Sequence, residues 1–148
     1  MKSLNDEQKI QAIEVAIGYE FTDKKLLLKA ITHRSFAKED KDCPRGFHNE
    51  TLEFLGDAVL ALATADVLLV ENRHADEGEL SHRRAAYVCQ ENLANAAKRL
   101  GISPFLRVSV SMRKAGPIDL PSVLSDAMEA ILGAIYLDSG YGYAKAAV

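Results

Sequence analysis

Apolar residues recur at helical spacing along nearly the whole chain, and no stretch alternates apolar and polar residues long enough to predict a strand. A first helix is predicted to start at Asn5, where Gln8 completes a capping box, and to end near Gly18. Thr22 is predicted to cap a second helix that runs toward His33. The pattern therefore predicts an all-α fold of helices joined by brief loops.

Two long helices are predicted in the middle of the chain, after a charged loop at residues 37–48 that contains proline and glycine. The first covers residues 49–70, and the second covers residues 79–100 and ends at Gly101. An irregular stretch around Pro117 follows. Pro121 then suits the first turn of another long helix.

A length of 148 residues fits one domain with a substantial core, and no internal repeat or linker interrupts it. We therefore expect residues 1–148 to form a single domain. The composition, 48% hydrophobic and 26% charged, excludes disordered, collagen-like and membrane classes but selects no function. Residues 143–148 begin a further helix that is too short to be stable alone, which favours a natural protein that continues beyond this fragment.

The two cysteines, Cys43 and Cys89, stand far apart without a CxxC motif or Cys/His cluster, so neither a disulfide framework nor a zinc site is predicted. Cys89 is interpreted as a small core residue. Charges at the N-terminus interrupt the apolar stretch that a signal peptide needs, and the most apolar run, residues 58–70, is too short to span a bilayer. We expect a cytoplasmic protein.

Charge is distributed unevenly. A net charge of −3 argues against nucleic-acid binding through bulk charge. Residues 73–114, however, hold eight Lys and Arg residues against four Asp and Glu residues, a local +4 that leaves −7 for the remainder. This asymmetry favours an acidic metal site beside a basic, phosphate-tracking surface, while solvated helix faces are the alternative interpretation.

Acidic residues share one face of the predicted helix at 49–70. At about 100° per residue, Glu50, Glu53 and Asp57 fall within an arc of roughly 60°. The opposite side is apolar and is expected to be buried. Its residues are Leu52, Leu55, Val59 and Leu62.

The helix after Pro121 repeats this arrangement, with Asp126 and Glu129 opposite an apolar stripe of Leu124, Met128, Ile131 and Ile135. Apolar neighbours, including Ala61 and Ala130, would leave the carboxylates of both helices partly buried. Because crowded, buried anions are costly, a cation bound between the helices is the economical explanation. All-oxygen ligands suit Mg²⁺ or Mn²⁺, whereas spacing alone leaves solvated acidic faces as the alternative.

The segment HNETLEFLGDAVL at residues 48–60 closely resembles the signature of the ribonuclease III family. Three further blocks resemble family blocks in the same order: AITHRS at 30–35, DEGELS at 76–81 and SDAMEAILGA at 125–134. The resemblance implies the helical endonuclease-domain fold of ribonuclease III, which homodimerises through the signature helix. The usual bacterial member also carries a C-terminal double-stranded RNA-binding domain, which this chain lacks, so we expect weak substrate affinity.

Carried over position by position, the family implies metal coordination by four carboxylates, those of Glu53, Asp57, Asp126 and Glu129. Asp57 and Glu129 are its usual catalytic pair. Glu50 and Glu77 match two further acidic positions of the family. Phe54 matches an aromatic residue that inserts into the partner subunit, and burial in its own domain is the alternative.

The resemblance also implies the activity, which is Mg²⁺-dependent hydrolysis of double-stranded RNA in rRNA and mRNA processing, with Mn²⁺ as a substitute. One or two ions activate a water for in-line attack on phosphorus, leaving 5′-phosphate and 3′-hydroxyl ends. Two sites in the dimer cut the two strands with a short stagger.

Other interpretations compete at particular residues. Residues 71–74 and 79–82 both read ExxH, the spacing of di-iron carboxylate bundles, but they lie eight residues apart with a predicted loop between them. A module that binds structured RNA without cutting it is a second alternative. His33 and Arg34 either contact phosphate or, as the simpler interpretation, cap a helix or hydrogen-bond within the domain.

Overall fold

The computed structural model describes residues 4–116 and 118–148, and every regular element there is helical. An isolated parallel bridge joins Thr32 to Arg107. The predicted all-α class is confirmed. The helices are α1 Asp6–Ile17, α2 Lys24–Ala30, α3 Arg34–Glu39, α4 Glu50–Glu71, α5 Glu77–Val88, α6 Gln90–Leu100, α7 Val110–Lys114, α8 Pro121–Ser139 and α9 Tyr141–Ala147, with a short 3-10 turn at Ser103–Phe105.

Helices α4 and α8 form the centre of the fold and cross where Gly56 faces Gly133. A Cβ atom on Gly56 would overlap the carbonyl oxygen of Glu129, and one on Gly133 would overlap that of Leu52. The two backbones therefore touch, which any residue larger than glycine would prevent. This contact brings the acidic sides of α4 and α8 next to each other.

The core around this crossing is largely the one that the apolar stripes predict. On α8, Leu124, Ile131 and Ile135 are buried and Met128 packs against the core. On α4, Leu52 and Val59 are buried and Leu55 is half-buried. The α8 prediction is confirmed, and the α4 prediction holds for three of its four residues.

Leu62 is the exception, because it is 57% exposed and its predicted burial is wrong. It lies on the same side of α4 as Phe54 and Ala58, which precede it by eight and four residues. The crossing is centred on Gly56, and the buried side of α4 continues through Leu60 instead.

The N-terminal helix follows the prediction. Asn5 and Gln8 form the capping box, and Gly18 ends α1 with a left-handed φ of 70°. The prediction for α2 is wrong at both ends. Asp23 caps α2, and the helix stops at Ala30.

The chain turns after α2 because its backbone pairs with a distant segment. The Arg107 amide donates to the Ile31 carbonyl at 2.8 Å, and the His33 amide donates to the Arg107 carbonyl at 2.8 Å. His33 then caps α3, with Nδ1 accepting from the Ser35 amide at 3.0 Å. The capping interpretation of His33 is confirmed, and the predicted loop begins only after Glu39.

The predicted helix over residues 79–100 is wrong, because Cys89 breaks it. Cys89 has an extended backbone, with ψ 154°, and separates α5 from α6. It is exposed and is not the core residue that the sequence predicted. The break lets α6 bury Leu93 and Ala97 in the core, while α5 buries no residue and lies along α4.

The remaining segments add detail to the predicted pattern. The irregular stretch before α8 contains α7, which Ser109 caps, and Pro117 lies outside the described residues. Pro121 occupies the first turn of α8 as predicted, and α9 is the predicted further helix. No helix in the described ranges is long and apolar enough to cross a membrane.

Candidate metal centre

Three carboxylates converge beside the contact between α4 and α8. Glu53 lies in the first turn of α4, while Asp126 and Glu129 lie in the first half of α8. One carboxylate oxygen from each lies within 4.8 Å of the other two, and all three side chains are half-buried. Oxygen atoms at this spacing suit one shared hard cation.

The three carboxylates open into a cavity of about 480 Å³. Asp57 lines the same cavity but is exposed and stands outside the group of three. Glu50 also lines it, and its carboxylate pairs with the Arg34 guanidinium at 3.4 Å. The fold therefore places the four predicted metal ligands in one cavity, with three of them in close contact.

Burial and mutual repulsion make these carboxylates hard to ionise. Burial raises the pKa of Glu53 to about 7, with further contributions from Asp126, Glu50 and Asp57. Burial likewise raises the pKa of Glu129 to about 7, together with the charges of Asp57, Glu53 and Asp126. A bound dication would oppose both shifts, because its charge favours the ionised carboxylates and offsets their mutual repulsion.

Glu53 and Asp126 also share a hydrogen bond across the helix pair. Burial raises the pKa of Asp126, while the hydrogen bond with Glu53 and the proximity of His33 oppose that rise. The same hydrogen bond raises the pKa of Glu53. The hydrogen bond thus favours a protonated Glu53 as the donor and an ionised Asp126 as the acceptor.

The donor set tests which ion fits. It consists of carboxylate oxygens without histidine or cysteine, and the cavity leaves room for water ligands. This combination suits Mg²⁺ or Mn²⁺ better than zinc. Within residues 4–116 and 118–148, it is the one group of three or more potential ligands close enough to hold an ion.

Of the two remaining predicted residues, Glu77 lies elsewhere and Phe54 lies at the acidic cavity. Glu77 lines a separate cavity between α4 and α5, with Leu80 and Arg84 among its neighbours. Phe54 borders the acidic cavity with its side chain 83% exposed, so its alternative as a core residue of this domain is wrong.

The di-iron alternative finds no support in the described part of the chain. Its four residues, Glu71, His74, Glu79 and His82, are exposed and belong to no potential metal group there. Glu79 instead pairs with Arg83 one turn later, at 2.8 Å. The two ExxH sequences therefore belong to solvated faces.

The predicted basic surface is smaller than the number of Lys and Arg residues in the sequence indicates. Arg107 is buried, where it donates to Thr32 and stacks on Phe36. Lys98 forms an ion pair with Asp119. These residues are engaged within the domain and are less available to a phosphate backbone.

Two residues of the cavity were missed by the sequence reasoning, Gln90 of α6 and Ser125 of α8. The one signal in the sequence for Ser125 is its position directly before Asp126. Gln90 gave no signal, since it was assigned to the interior of a long helix.

Comparisons with known proteins show the family of the chain. The sequence profile of the family described as Ribonuclease-III-like matches residues 23–148. Ribonuclease 3 of Campylobacter jejuni is 43% identical over 136 residues, covering 92% of this chain and 58% of that protein. Ribonuclease 3 of Caldanaerobacter subterraneus is 45% identical over 128 residues, covering 86% of this chain and 55% of that protein. The chain thus spans little more than half the length of these curated relatives.

A solved structure gives the same result for the fold. The nuclease domain of ribonuclease III from Campylobacter jejuni matches with a TM-score of 0.85 at 42% sequence identity. The match covers 93% of this chain and 92% of that chain.

Proposed function

Because the chain belongs to the ribonuclease-III-like family, we propose that it is an endonuclease that hydrolyses phosphodiester bonds in double-stranded RNA with a divalent metal ion. The observation that carries this proposal is the convergence of Glu53, Asp126 and Glu129 in one cavity whose wall includes Asp57. Recognition would be mainly of A-form shape, through phosphates and 2′-hydroxyl groups.

Mg²⁺ is the proposed cofactor, with Mn²⁺ as a substitute, and the proposed ligands are Glu53, Asp57, Asp126 and Glu129. When bound, the ion supplies charge neutralisation at the phosphate and an acidified water. Asp57 and Glu129 are the proposed catalytic pair. Asp57 is the exposed member, so it remains accessible to water and substrate, while the half-buried Glu129 anchors the other side. The expected products carry 5′-phosphate and 3′-hydroxyl ends.

A homodimer is the proposed assembly. The Campylobacter nuclease domain is described as having a region involved in dimer formation. In this chain, Phe54 and Leu62 lie on one side of α4 and are 83% and 57% exposed. Apolar side chains gathered on one helix face are typical of protein interfaces. In such a dimer, each subunit's acidic cavity would cleave one strand of the RNA duplex, and the two cleavage positions would be offset by a short stagger.

The proposed setting is the cytoplasm, with the duplex segments of rRNA precursors and mRNAs as substrates. Glu77 lies outside this cavity in its own subunit, and Glu50 lies at the mouth, where it pairs with Arg34. A secondary role in RNA contact is proposed for both residues.

The test is incubation of the parent protein and Glu129→Gln with long double-stranded RNA and Mg²⁺, followed by sizing of the products and analysis of their ends. Glu91→Gln, at an exposed position of α6, is the matched control. We expect short duplexes from the parent and the control but not from Glu129→Gln. Bound RNA without products from the parent would favour the module that binds RNA without cutting it.

A further inference from the structure

Ser125 presents a hydroxyl to the acidic cavity from a buried position. The residue is only 4% exposed, and it precedes Glu129 by one turn on the same side of α8. The hydroxyl makes no hydrogen bond with another residue in the described ranges. Among the described residues, the one fully buried side-chain polar atom without a hydrogen-bond partner is Arg107 Nε, so the Ser125 hydroxyl still reaches the cavity and can donate to a ligand there.

Gln90 stands on the same cavity as the first residue of α6. Cys89 at the N-cap makes no side-chain hydrogen bond to this helix. The first amide groups of α6 therefore lack a side-chain cap, and the partial positive charge of the helix end lies at the edge of the cavity. The side-chain amide of Asn92 donates to the Ala86 carbonyl at 2.8 Å. Of these two amide side chains, only that of Gln90 belongs to a residue that lines the cavity.

The two residues give the cavity a second wall with a different chemistry. The first wall consists of carboxylates and suits a cation, whereas Ser125, Gln90 and the start of α6 offer neutral hydrogen-bond donors. Donors at a helix N-terminus suit an anionic oxygen. A phosphate group placed between the walls would face the cation on one side and these donors on the other.

We propose that Ser125 and Gln90 bind a non-bridging oxygen of the phosphate group that the carboxylate cluster and its ion act upon. The proposal rests on the proposed function and adds to it the residues that hold the phosphate. After cleavage, the same donors would hold the 5′-phosphate end of the product.

The experiment measures the affinity of Ser125→Ala and Gln90→Ala, with Mg²⁺ present, for a short RNA duplex that carries 5′-phosphates. The same duplex with 5′-hydroxyl ends is the comparison ligand. We expect each variant to bind the phosphorylated duplex about ten- to hundredfold more weakly than the parent does, since one hydrogen bond to a charged group is lost. Affinity for the 5′-hydroxyl duplex should fall less, because only the internal phosphates of that duplex can reach these donors.

Two controls separate this role from a structural one. Ser122→Ala on α8 and Asn95→Ala on α6 remove exposed polar groups from the same helices and should match the parent with both duplexes. The rise in melting temperature that Mn²⁺ causes should be unchanged in Ser125→Ala, because the carboxylates stay in place.

Parent-like affinity of both cavity variants for the phosphorylated duplex would overturn the proposal, as would an equal loss for both duplexes. Cleavage of long double-stranded RNA by the parent is measured in the same preparation. If the parent cleaves and the variants keep full affinity, only the proposed phosphate contact of Ser125 and Gln90 is overturned. If the parent does not cleave, the proposed function is overturned.

Discussion

Glu53 of α4 and Asp126 of α8 share a hydrogen bond although they lie 73 positions apart in the sequence. Two carboxyl groups form such a bond only when one of them holds a proton. Without a cation, the cluster thus keeps a proton near neutral pH, and a metal ion must displace it. The stability of the protein and its metal affinity should both depend on pH.

The first prediction concerns the metal-free protein. Glu53 and Glu129 have pKa values near 7 when folded and near 4.5 when unfolded, so the folded state holds more protons between these values. Their contribution to stability should therefore decrease as pH rises from about 4.5 to about 7. Thermal unfolding with a chelator across this range measures it, and Glu53→Gln should show a shallower decrease than the parent. An equal slope in the two proteins would contradict the assignment.

The second prediction concerns metal binding. Mg²⁺ or Mn²⁺ at a hundred times its dissociation constant should stabilise the protein by about 2.7 kcal/mol, or roughly 5–11 °C in melting temperature. The gain should be larger at pH 8 than at pH 5, because the ion competes with protons for the same oxygens. Glu129→Gln should lose most of this gain, while Glu91→Gln should keep it. A stabilisation by the metal ion that does not change with pH would indicate that the ion binds at another site.

The third prediction tests the helix crossing. Gly56→Ala introduces a Cβ atom that overlaps the Glu129 carbonyl oxygen, so α4 and α8 must move apart. We expect a loss of about 1–3 kcal/mol in unfolding free energy and a much smaller stabilisation by Mn²⁺. Gly142→Ala is the control, since no heavy atom lies within 4 Å of its added Cβ. Denaturant unfolding with and without Mn²⁺ measures both effects.

The fourth prediction concerns the end of α8. Asp138 accepts hydrogen bonds from the Tyr19 hydroxyl at 2.6 Å and from the amides of Thr22 and Asp23 at 2.9 Å. Burial alone would raise the pKa of Asp138, but these bonds outweigh it and lower the pKa below its usual value of 3.8. Asp138→Asn should lower the unfolding free energy by about 1–3 kcal/mol at pH 7.

The difference between Asp138→Asn and the parent should shrink as the pH falls below the usual pKa of aspartate, since protonation of Asp138 then weakens the same bonds in the parent. Glu7→Gln, at an exposed position of α1, should behave as the parent does. A difference that stays constant with pH would contradict the charge-based explanation.

The fifth prediction addresses the assembly. Phe54→Asp should convert the proposed dimer to a monomer without loss of helix content, since the side chain makes little contact within its own domain. Val15→Asp on α1, where the side chain is 79% exposed, is the matched control and should remain dimeric. Sedimentation velocity distinguishes the two. A parent that sediments as a monomer would refute the proposed assembly.

The parts of the fold that could be predicted are those in which one helix carries its own signal. The capping box at Asn5 and the left-handed Gly101 are local features, and both occur as expected. The acidic side of α4 is likewise evident from the spacing of carboxylates within residues 48–60. Periodicity and capping depend on neighbouring residues and are readable from the sequence.

The features that the sequence did not predict correctly depend on contacts between residues that are distant in the chain. The break at Cys89 exists because α6 packs on α8 while α5 follows α4, which the continuous periodicity around Cys89 does not indicate. The turn before His33 depends on pairing with Arg107. The place of Gln90 on the cavity follows from the same break at Cys89, so the local sequence does not indicate it.

The glycine contact between α4 and α8 has a consequence for how the sequence can vary. The spacing of the carboxylates depends on two backbones in contact and not on the shapes of the surrounding apolar side chains. Leucine, isoleucine and valine at the neighbouring core positions can therefore exchange during evolution without moving the ligands. Related proteins could keep the same chemistry while their core residues change, provided that Gly56 and Gly133 both stay glycines.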